Sequence, residues 1–217
     1  MLVLLPPSEG KTEPEAGAPV DLGALAFAEQ LGERRQELLD ALDPGLREAP
    51  VAPAAAVYTG VLFKRVELPK LPAKARRRVL IASALWGVVR PDDRIPYYRL
   101  PPKEKLKGIG PLAKYWRPAL TEALPDKSGK LIVDMRSAAY SAMWKPKHAQ
   151  LLAVRAFTEE SGKRRAVSHM AKAVRGDVAR ALLLAKKAPA DPEGAATITE
   201  AAGFTVEING GNLDVIV

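Results

Sequence analysis

The chain has 217 residues, of which 47% are apolar and 27% charged, with no cysteine and a formal net charge of +8. That is enough apolar material for one substantial core, expected as a single domain covering residues 1–217. The lack of cysteine excludes disulfides, thiol nucleophiles and Cys-ligated zinc or iron–sulfur centres. No apolar run approaches the ~20 residues that a membrane helix needs.

Met1-Leu2-Val3-Leu4-Leu5 predicts a buried first strand, stopped by Pro6-Pro7; without a basic segment before it, it does not read as a targeting signal, and a cytoplasmic protein is expected. A polar Pro/Gly-rich loop follows to Pro19. Leu22–Leu42 predicts a helix through Leu22, Leu25, Ala26, Leu31, Leu38, Leu39 and Leu42, with Asp21 as N-cap and Asp43-Pro44-Gly45 as stop. Glu48–Ala56 reads as a Pro/Ala-rich connector, and Val57-Tyr58-Thr59-Gly60 begins a new element. Val79–Ala82 reads as a buried strand, Trp86–Pro102 as a loop with four prolines, and Leu112–Leu124 as a helix despite Pro118. Leu131–Asp134 is another buried strand, Tyr140–Val154 mixes loop and helix, and Ala166-Val167-Ser168 is strand-like. Lys172–Lys186 predicts a basic amphipathic helix and Thr197–Ala202 a short helix ended by Gly203. Phe204–Ile208 and Leu213–Val217 predict a closing hairpin around Asn209-Gly210-Gly211-Asn212. Short apolar strands alternating with helices indicate an α/β fold, compact, with a mixed sheet flanked by helices.

Charge is unevenly distributed. Lys64–Arg117 holds 15 Lys/Arg against 4 Asp/Glu, whereas Glu9–Glu48 holds 10 acidic and 4 basic residues. Such asymmetry steers an anionic ligand toward one side of a molecule. Together with the overall positive charge it points to a nucleic acid or another acidic partner, although a soluble enzyme can carry the same balance.

Gly10-Lys11-Thr12 follows a strand but is not a phosphate-binding P-loop, because the glycine required five positions before Gly10 is Leu5. Lys11 remains a candidate functional cation on a loop after a strand. Residues 103–124 contain the sharpest local pattern. Leu106-Lys107-Gly108-Ile109-Gly110-Pro111-Leu112-Ala113-Lys114 resembles the helix-hairpin-helix of DNA repair proteins, although Pro101-Pro102 leaves little room for its first helix. Glycines permit positive φ and close backbone approach, a following helix offers free N–H groups to phosphate, and Lys103, Lys105, Lys107 and Lys114 would add attraction independent of base sequence. Trp86, Tyr97, Tyr98, Tyr115 and Trp116 interleave with Arg90, Arg94, Arg99 and Arg117, a pattern that can stack exposed bases, although Trp116 on a helix is expected in the core. His148 and His169 are the two histidines, with no metal-ligand spacing, so neither a metal site nor any cofactor is read from the sequence. Ser168-His169 can supply a base, or His169 can be structural.

The chain resembles the YaaA family (DUF328, also called UPF0246). The residues that carry this are the opening strand with Pro7 and Lys11-Thr12, Val57-Tyr58-Thr59-Gly60, the signature Ser83-Ala84-Leu85-Trp86-Gly87-Val88-Val89-Arg90-Pro91, Tyr98-Arg99-Leu100 and Trp116. Ser137, Tyr140, Lys145-Pro146 and Ala171-Lys172-Ala173-Val174-Arg175-Gly176 continue it in order, with Asp134 where the family usually has Asn. The resemblance implies a cytoplasmic bacterial protein of the peroxide stress response that limits iron-dependent oxidative damage and binds DNA in a basic cleft.

The matched polar residues, Lys11, Tyr58, Thr59, Ser83, Arg90, Tyr98, Arg99, Ser137, Lys145, Lys172 and Arg175, are expected to converge on one cleft, because buried cations are costly without a partner. One reading is DNA bound through its backbone by Lys11, Arg90, Arg99, Lys103, Lys105, Lys107, Gly108, Gly110, Lys114, Lys172 and Arg175. The other is an enzyme acting on a small anionic, nucleotide- or phosphate-like substrate, with Tyr58, Thr59, Ser83, Tyr98 and Ser137 as pocket walls and Lys11, Lys145 or Lys172 as a base of depressed pKa. An enclosed pocket favours the second and an open groove the first. Direct ligation of iron through carboxylates is the third and weakest reading.

Overall fold

A computed structural model describes residues 1–160, 163–167 and 170–217. Its strands are Leu2–Leu5 (β1), Val51–Pro53 (β2), Val79–Ser83 (β3), Gly87–Val89 (β4), Arg94–Pro96 (β5), Lys105–Leu106 (β6), Gly110–Pro111 (β7), Leu131–Asp134 (β8), Gln150–Glu160 (β9), Lys163–Ala166 (β10), Thr205–Asn209 (β11) and Asn212–Ile216 (β12). Its helices are Ala28–Asp40 (α1), Gly45–Glu48 (α2), Ala54–Val57 (α3), Val61–Val66 (α4), Ala73–Arg76 (α5), Leu112–Ala123 (α6), Ala138–Ser141 (α7), Ala171–Leu184 (α8) and Pro192–Ala201 (α9), with a short 3-10 turn at Leu68–Lys70.

The expected mixed α/β architecture is present. One eight-stranded sheet runs in the order β11-β12-β9-β8-β1-β3-β4, with β10 added to the far end of β9. β1 lies between β3 and β8 and is parallel to both. Strands in that position are covered on both faces, which is why they read as unbroken apolar runs rather than alternating ones. β3 and β8 are buried throughout. The chain leaves β1 for β3 on one side and returns to β8 on the other. The crevice beyond the carboxyl ends of β1 and β8 is therefore a topological switch point, the usual location of a ligand in an open α/β sheet.

Several elements differ from their sequence reading. Helix α1 starts at Ala28 rather than Leu22, because the Asp21 carboxylate accepts the Gly23 N–H at 2.9 Å in a local turn and Phe27 takes a left-handed φ of 61°. The Glu48–Ala56 connector contains β2 and α3, the Trp86–Pro102 loop contains β4 and β5, and Val154 lies within β9. Helix α9 begins at Pro192 rather than Thr197, since the Asp191 side chain caps it by accepting the Gly194 N–H. The closing hairpin forms as β11 and β12.

Helix α1 is fastened to the sheet by Arg35, which is fully buried. Its Nε donates to the Trp86 carbonyl at 3.1 Å, and its Nη2 donates to the Ala26 and Val88 carbonyls at 2.8 and 2.9 Å. Burial pushes this guanidinium down to about 10, with Asp93 opposing the shift. Trp116 of α6 is also fully buried, as expected, and its indole N–H donates to the Ala84 carbonyl at 2.8 Å. Its ring lies over Gly87, whose φ is +70°, so that a Cβ there would sit 2.8 Å from the indole. Gly87→Ala combines backbone strain with overpacking and is expected to lower unfolding free energy by about 2–4 kcal/mol in urea denaturation; an unchanged midpoint would contradict this packing.

Candidate anion-binding site

The loop after β1 is pinned rather than free. Ser8 Oγ accepts the Gly60 N–H at 2.7 Å, Gly10 O accepts the Thr59 N–H at 3.0 Å, and Val57 O accepts the Thr12 N–H at 2.8 Å. Lys11 and Tyr58 form an antiparallel bridge within this clamp. Gly60 is required there because a Cβ would meet Ser8 Oγ at 2.2 Å. The clamp carries the Lys11 ammonium over the Tyr98 ring, 4.6 Å from its centroid, and 5.8 Å from that of Tyr58. Burial lowers the Lys11 pKa; Glu9 opposes the shift and Arg99 adds to it.

After β5 the side chains of Tyr97–Leu100 alternate in exposure. Tyr98 and Leu100 are buried, whereas Tyr97 and Arg99 are exposed, the two-residue period of an extended chain. The Tyr98 hydroxyl lies 2.7 Å from the Tyr58 hydroxyl and 2.8 Å from Ser83 Oγ. Burial raises both phenols, Tyr98 to about 12 and Tyr58 well above the usual tyrosine value.

Beyond β8 the turn is set by a buried ion pair. Arg136 Nε and Nη2 each lie 2.8 Å from an oxygen of Asp134, and Nη2 also donates to the Trp144 carbonyl at 2.8 Å. Such a pair is strongly destabilising when only one partner is removed, so it holds the segment that bears Ser137 and Tyr140 in one conformation. Helix α8 contributes Lys172 and Arg175, three residues apart and thus on one face. Arg175 Nε donates to the Val154 carbonyl at 2.9 Å; burial lowers its pKa and Asp134 opposes the shift. Lys172 lies 3.9 Å from the exposed Glu9 carboxylate, a solvent-screened contact of small energetic weight.

These segments line a partly open cavity of about 750 Å³ at the switch point, bounded by Pro6–Lys11, Gly60–Phe63, Tyr97–Pro102, Ser137, Tyr140, Lys172 and Arg175. Its volume is in the range of small-molecule sites. Lys11, Arg99, Lys172 and Arg175 are its cations and Glu9 its acid.

Of the residues expected to converge, Lys11, Tyr98, Arg99, Ser137, Lys172 and Arg175 do line one space. Tyr58 and Ser83 are buried, outside the cavity lining, and hydrogen-bond with the Tyr98 hydroxyl. Thr59 contributes its backbone to the clamp. Arg90 does not join the site: its Nη1 donates to the Arg77 carbonyl and its guanidinium lies 5.7 Å from the Phe27 ring. Lys145 is exposed and outside the cavity lining. Trp86 is fully buried and offers no stacking surface. Ser8, Glu9, Phe63, Tyr97 and Tyr140 also line the cavity. Of these, Tyr97 had a signal in the sequence, its place among aromatics interleaved with arginines.

The segment at 103–124 is a β-hairpin followed by a helix, not a helix-hairpin-helix. β6 and β7 pair as a two-stranded ribbon where the first helix was sought, after the turn at Pro101-Pro102. Gly108 and Gly110 do take positive φ, 83° and 78°. Lys103, Lys105, Lys107 and Lys114 are all exposed and lie outside the cavity lining. Ser168 and His169 fall outside the described residues. Among the described residues, no three His, Cys, Asp or Glu side chains form a metal-holding group, and no helix is long and apolar enough to cross a membrane.

The lowered Lys11 pKa has a thermodynamic consequence. Between that value and the ordinary lysine value the unfolded chain holds the proton and the folded chain does not, so stability rises with pH across that interval. Wild-type protein compared with Lys11→Met by denaturation at a series of pH values should gain relative stability through this window and show its full penalty below it. A difference independent of pH would contradict the burial of the amine.

A family described as "Peroxide stress protein YaaA" matches residues 25–208 of the chain. The UPF0246 protein of Streptomyces coelicolor is 40% identical, with 95% of this chain and 92% of the relative covered. The UPF0246 protein of Corynebacterium efficiens is 37% identical over 100% of this chain and 98% of its own length. One from Corynebacterium glutamicum is 35% identical over 96% of each. Most of the length is matched in each case, and the residues that build the cavity from Gly60 to Arg175 lie within the family match: the chain belongs to the peroxide stress protein YaaA family.

Proposed function

We propose that this protein binds a small phosphate-bearing ligand, of nucleotide size or less, in the cavity between the loops after β1 and β8. The observation that carries the reading is the convergence of Lys11, Arg99, Lys172 and Arg175 from three separate segments on one concave, partly open space. Cations brought together this way repel one another, and an anionic ligand relieves that repulsion. Tyr97 and Phe63 at the same cavity supply aromatic surface beside the charges. Lys11, with its amine held below the ordinary lysine pKa, is the group suited to exchange a proton with such a ligand, so the site has the makings of an enzyme centre. Its physiological setting, in this proposal, is protection from iron-dependent oxidative damage.

DNA binding is the second reading, and a separate observation favours it. Lys103, Lys105 and Lys107 are exposed on the glycine hairpin that leads into α6, a surface suited to phosphate backbone contacts without base readout.

Calorimetric titration separates the two. Inorganic pyrophosphate and adenosine monophosphate are expected to bind, with affinity falling roughly tenfold or more in each of Lys11→Ala, Arg99→Ala and Lys172→Ala, the scale of one lost charge-assisted hydrogen bond. A triple alanine replacement of Lys103, Lys105 and Lys107 should leave that binding intact while weakening any duplex DNA association and flattening its salt dependence. DNA binding with no small-anion binding would overturn the first reading in favour of the second.

A further inference from the structure

The hydroxyl groups beneath Lys11 are connected in a way that fixes the direction of their protons. Ser83 Oγ accepts two backbone donors, Leu85 N–H at 3.2 Å and Trp86 N–H at 2.9 Å. Both acceptor positions of that oxygen are thereby used. Its own proton goes to its remaining neighbour, the Tyr98 oxygen at 2.8 Å. Tyr98 is in turn 2.7 Å from the Tyr58 hydroxyl. Three hydroxyls thus share two contacts, and among the described residues one phenolic proton is left without a partner.

The two ways of placing that proton are not equivalent. If Tyr98 donates to Tyr58, the unused proton sits on Tyr58, which is 1% exposed and outside the cavity lining. A buried donor would then be left unsatisfied, which carries a desolvation penalty. If Tyr58 donates to Tyr98, the unused proton sits on Tyr98, which is 4% exposed but is the member of the chain that belongs to the cavity lining. There a bound ligand or water can accept it.

Resting on the reading of this cavity as an anion site, we infer that Tyr98 is a ligand-contacting residue that donates its phenolic hydrogen bond to an oxygen of the bound anion, with Ser83 as the positioning residue: its acceptor positions are filled, so it cannot take that proton inward. Lys11 supplies the countercharge from its place over the Tyr98 ring. The chemistry is coherent. Hydrogen bonds from Ser83 and Tyr58 favour the Tyr98 phenolate and act against the effect of burial. Burial outweighs them, so Tyr98 stays a neutral donor at physiological pH. The ligand class is a polyoxyanion that presents acceptor oxygens to Tyr98 and Lys11 together, such as a phosphate or pyrophosphate group.

The test is pyrophosphate titration of wild-type protein, Tyr98→Phe, Tyr58→Phe and Lys11→Ala, with thermal stability measured on each. Tyr98→Phe keeps the ring beneath Lys11 and removes the hydroxyl, and is expected to lose affinity roughly tenfold. Tyr58→Phe removes an equivalent buried hydrogen bond but leaves the Tyr98 proton facing the cavity, so its affinity should stay within about threefold of wild type even where stability falls. A purely structural hydroxyl pair predicts equal affinity changes in the two. Lost binding in Lys11→Ala with wild-type affinity in Tyr98→Phe would overturn this inference and leave the cavity reading standing; no pyrophosphate binding by wild-type protein would overturn both. Should Tyr98→Phe fail to fold, carbon-labelled tyrosine NMR of the wild-type protein asks the same question. Saturation with pyrophosphate should move the Tyr98 Cζ resonance and shift its ionisation to higher pH, and an unmoved resonance would overturn the inference.

Discussion

The hydrogen bond from the Gly60 amide to Ser8 Oγ closes a clamp between the first loop and the segment before α4, and the geometry of the site depends on that closure. Without it, Pro6–Thr12 would be a proline-rich loop with nothing to define where Lys11 lies. With it, the Lys11–Tyr58 bridge and the flanking backbone bonds at Thr12 and Thr59 form a short stretch of strand-like pairing. The lysine side chain then extends over Tyr98 instead of into solvent. The absence of a side chain at Gly60 is what permits the approach, since any Cβ would displace the serine oxygen. Sequence, backbone pairing and electrostatics meet at this point: a glycine admits a serine, the serine fixes a loop, and the loop half-buries a charge.

Around that clamp the fold uses different devices to hold cations where water is scarce. Arg35 donates to three carbonyls through Nε and Nη2, with Nη1 left without a partner among the described residues, and serves to attach α1 to the sheet. Arg136 is paired with Asp134 and shapes the turn after β8. Lys11 and Arg175 are partly buried, have no such dedicated carboxylate, and line the cavity. That contrast separates cations that build the protein from cations available to a ligand. It is sharper than net charge, which counts both kinds alike.

Much of the sheet was legible because Leu2–Leu5, Val79–Ser83 and Leu131–Asp134 are apolar without a helical period, and strands buried on both faces must read that way. The start of α1 was not, because Asp21 had two local uses, a helix cap or a turn, and only the surrounding chain selects between them. The glycines at 108 and 110 correctly announced positive φ, but a turn motif says nothing about the element before it, where two prolines left little room for a helix. Arg90 and Arg99 look alike in sequence, each near an aromatic residue. They separate in space because Arg90 ends β4 beside Phe27, whereas Arg99 sits on the outward phase of the alternating Tyr97–Leu100 segment. Ser8 and Tyr140 join the site through tertiary pairing alone, with Gly60 in one case and with the turn braced by Arg136 in the other.

The central claim is that the basic character of this protein is spent inside a cavity at the switch point of the sheet, not only on its surface. A crystal soaked in tungstate, a phosphate-like oxyanion with strong anomalous scattering, tests it directly. The account predicts an anomalous peak inside the cavity, within hydrogen-bonding distance of Tyr98 Oη and Lys11 Nζ. Peaks confined to the hairpin lysines at 103–107, with the cavity empty, would contradict it.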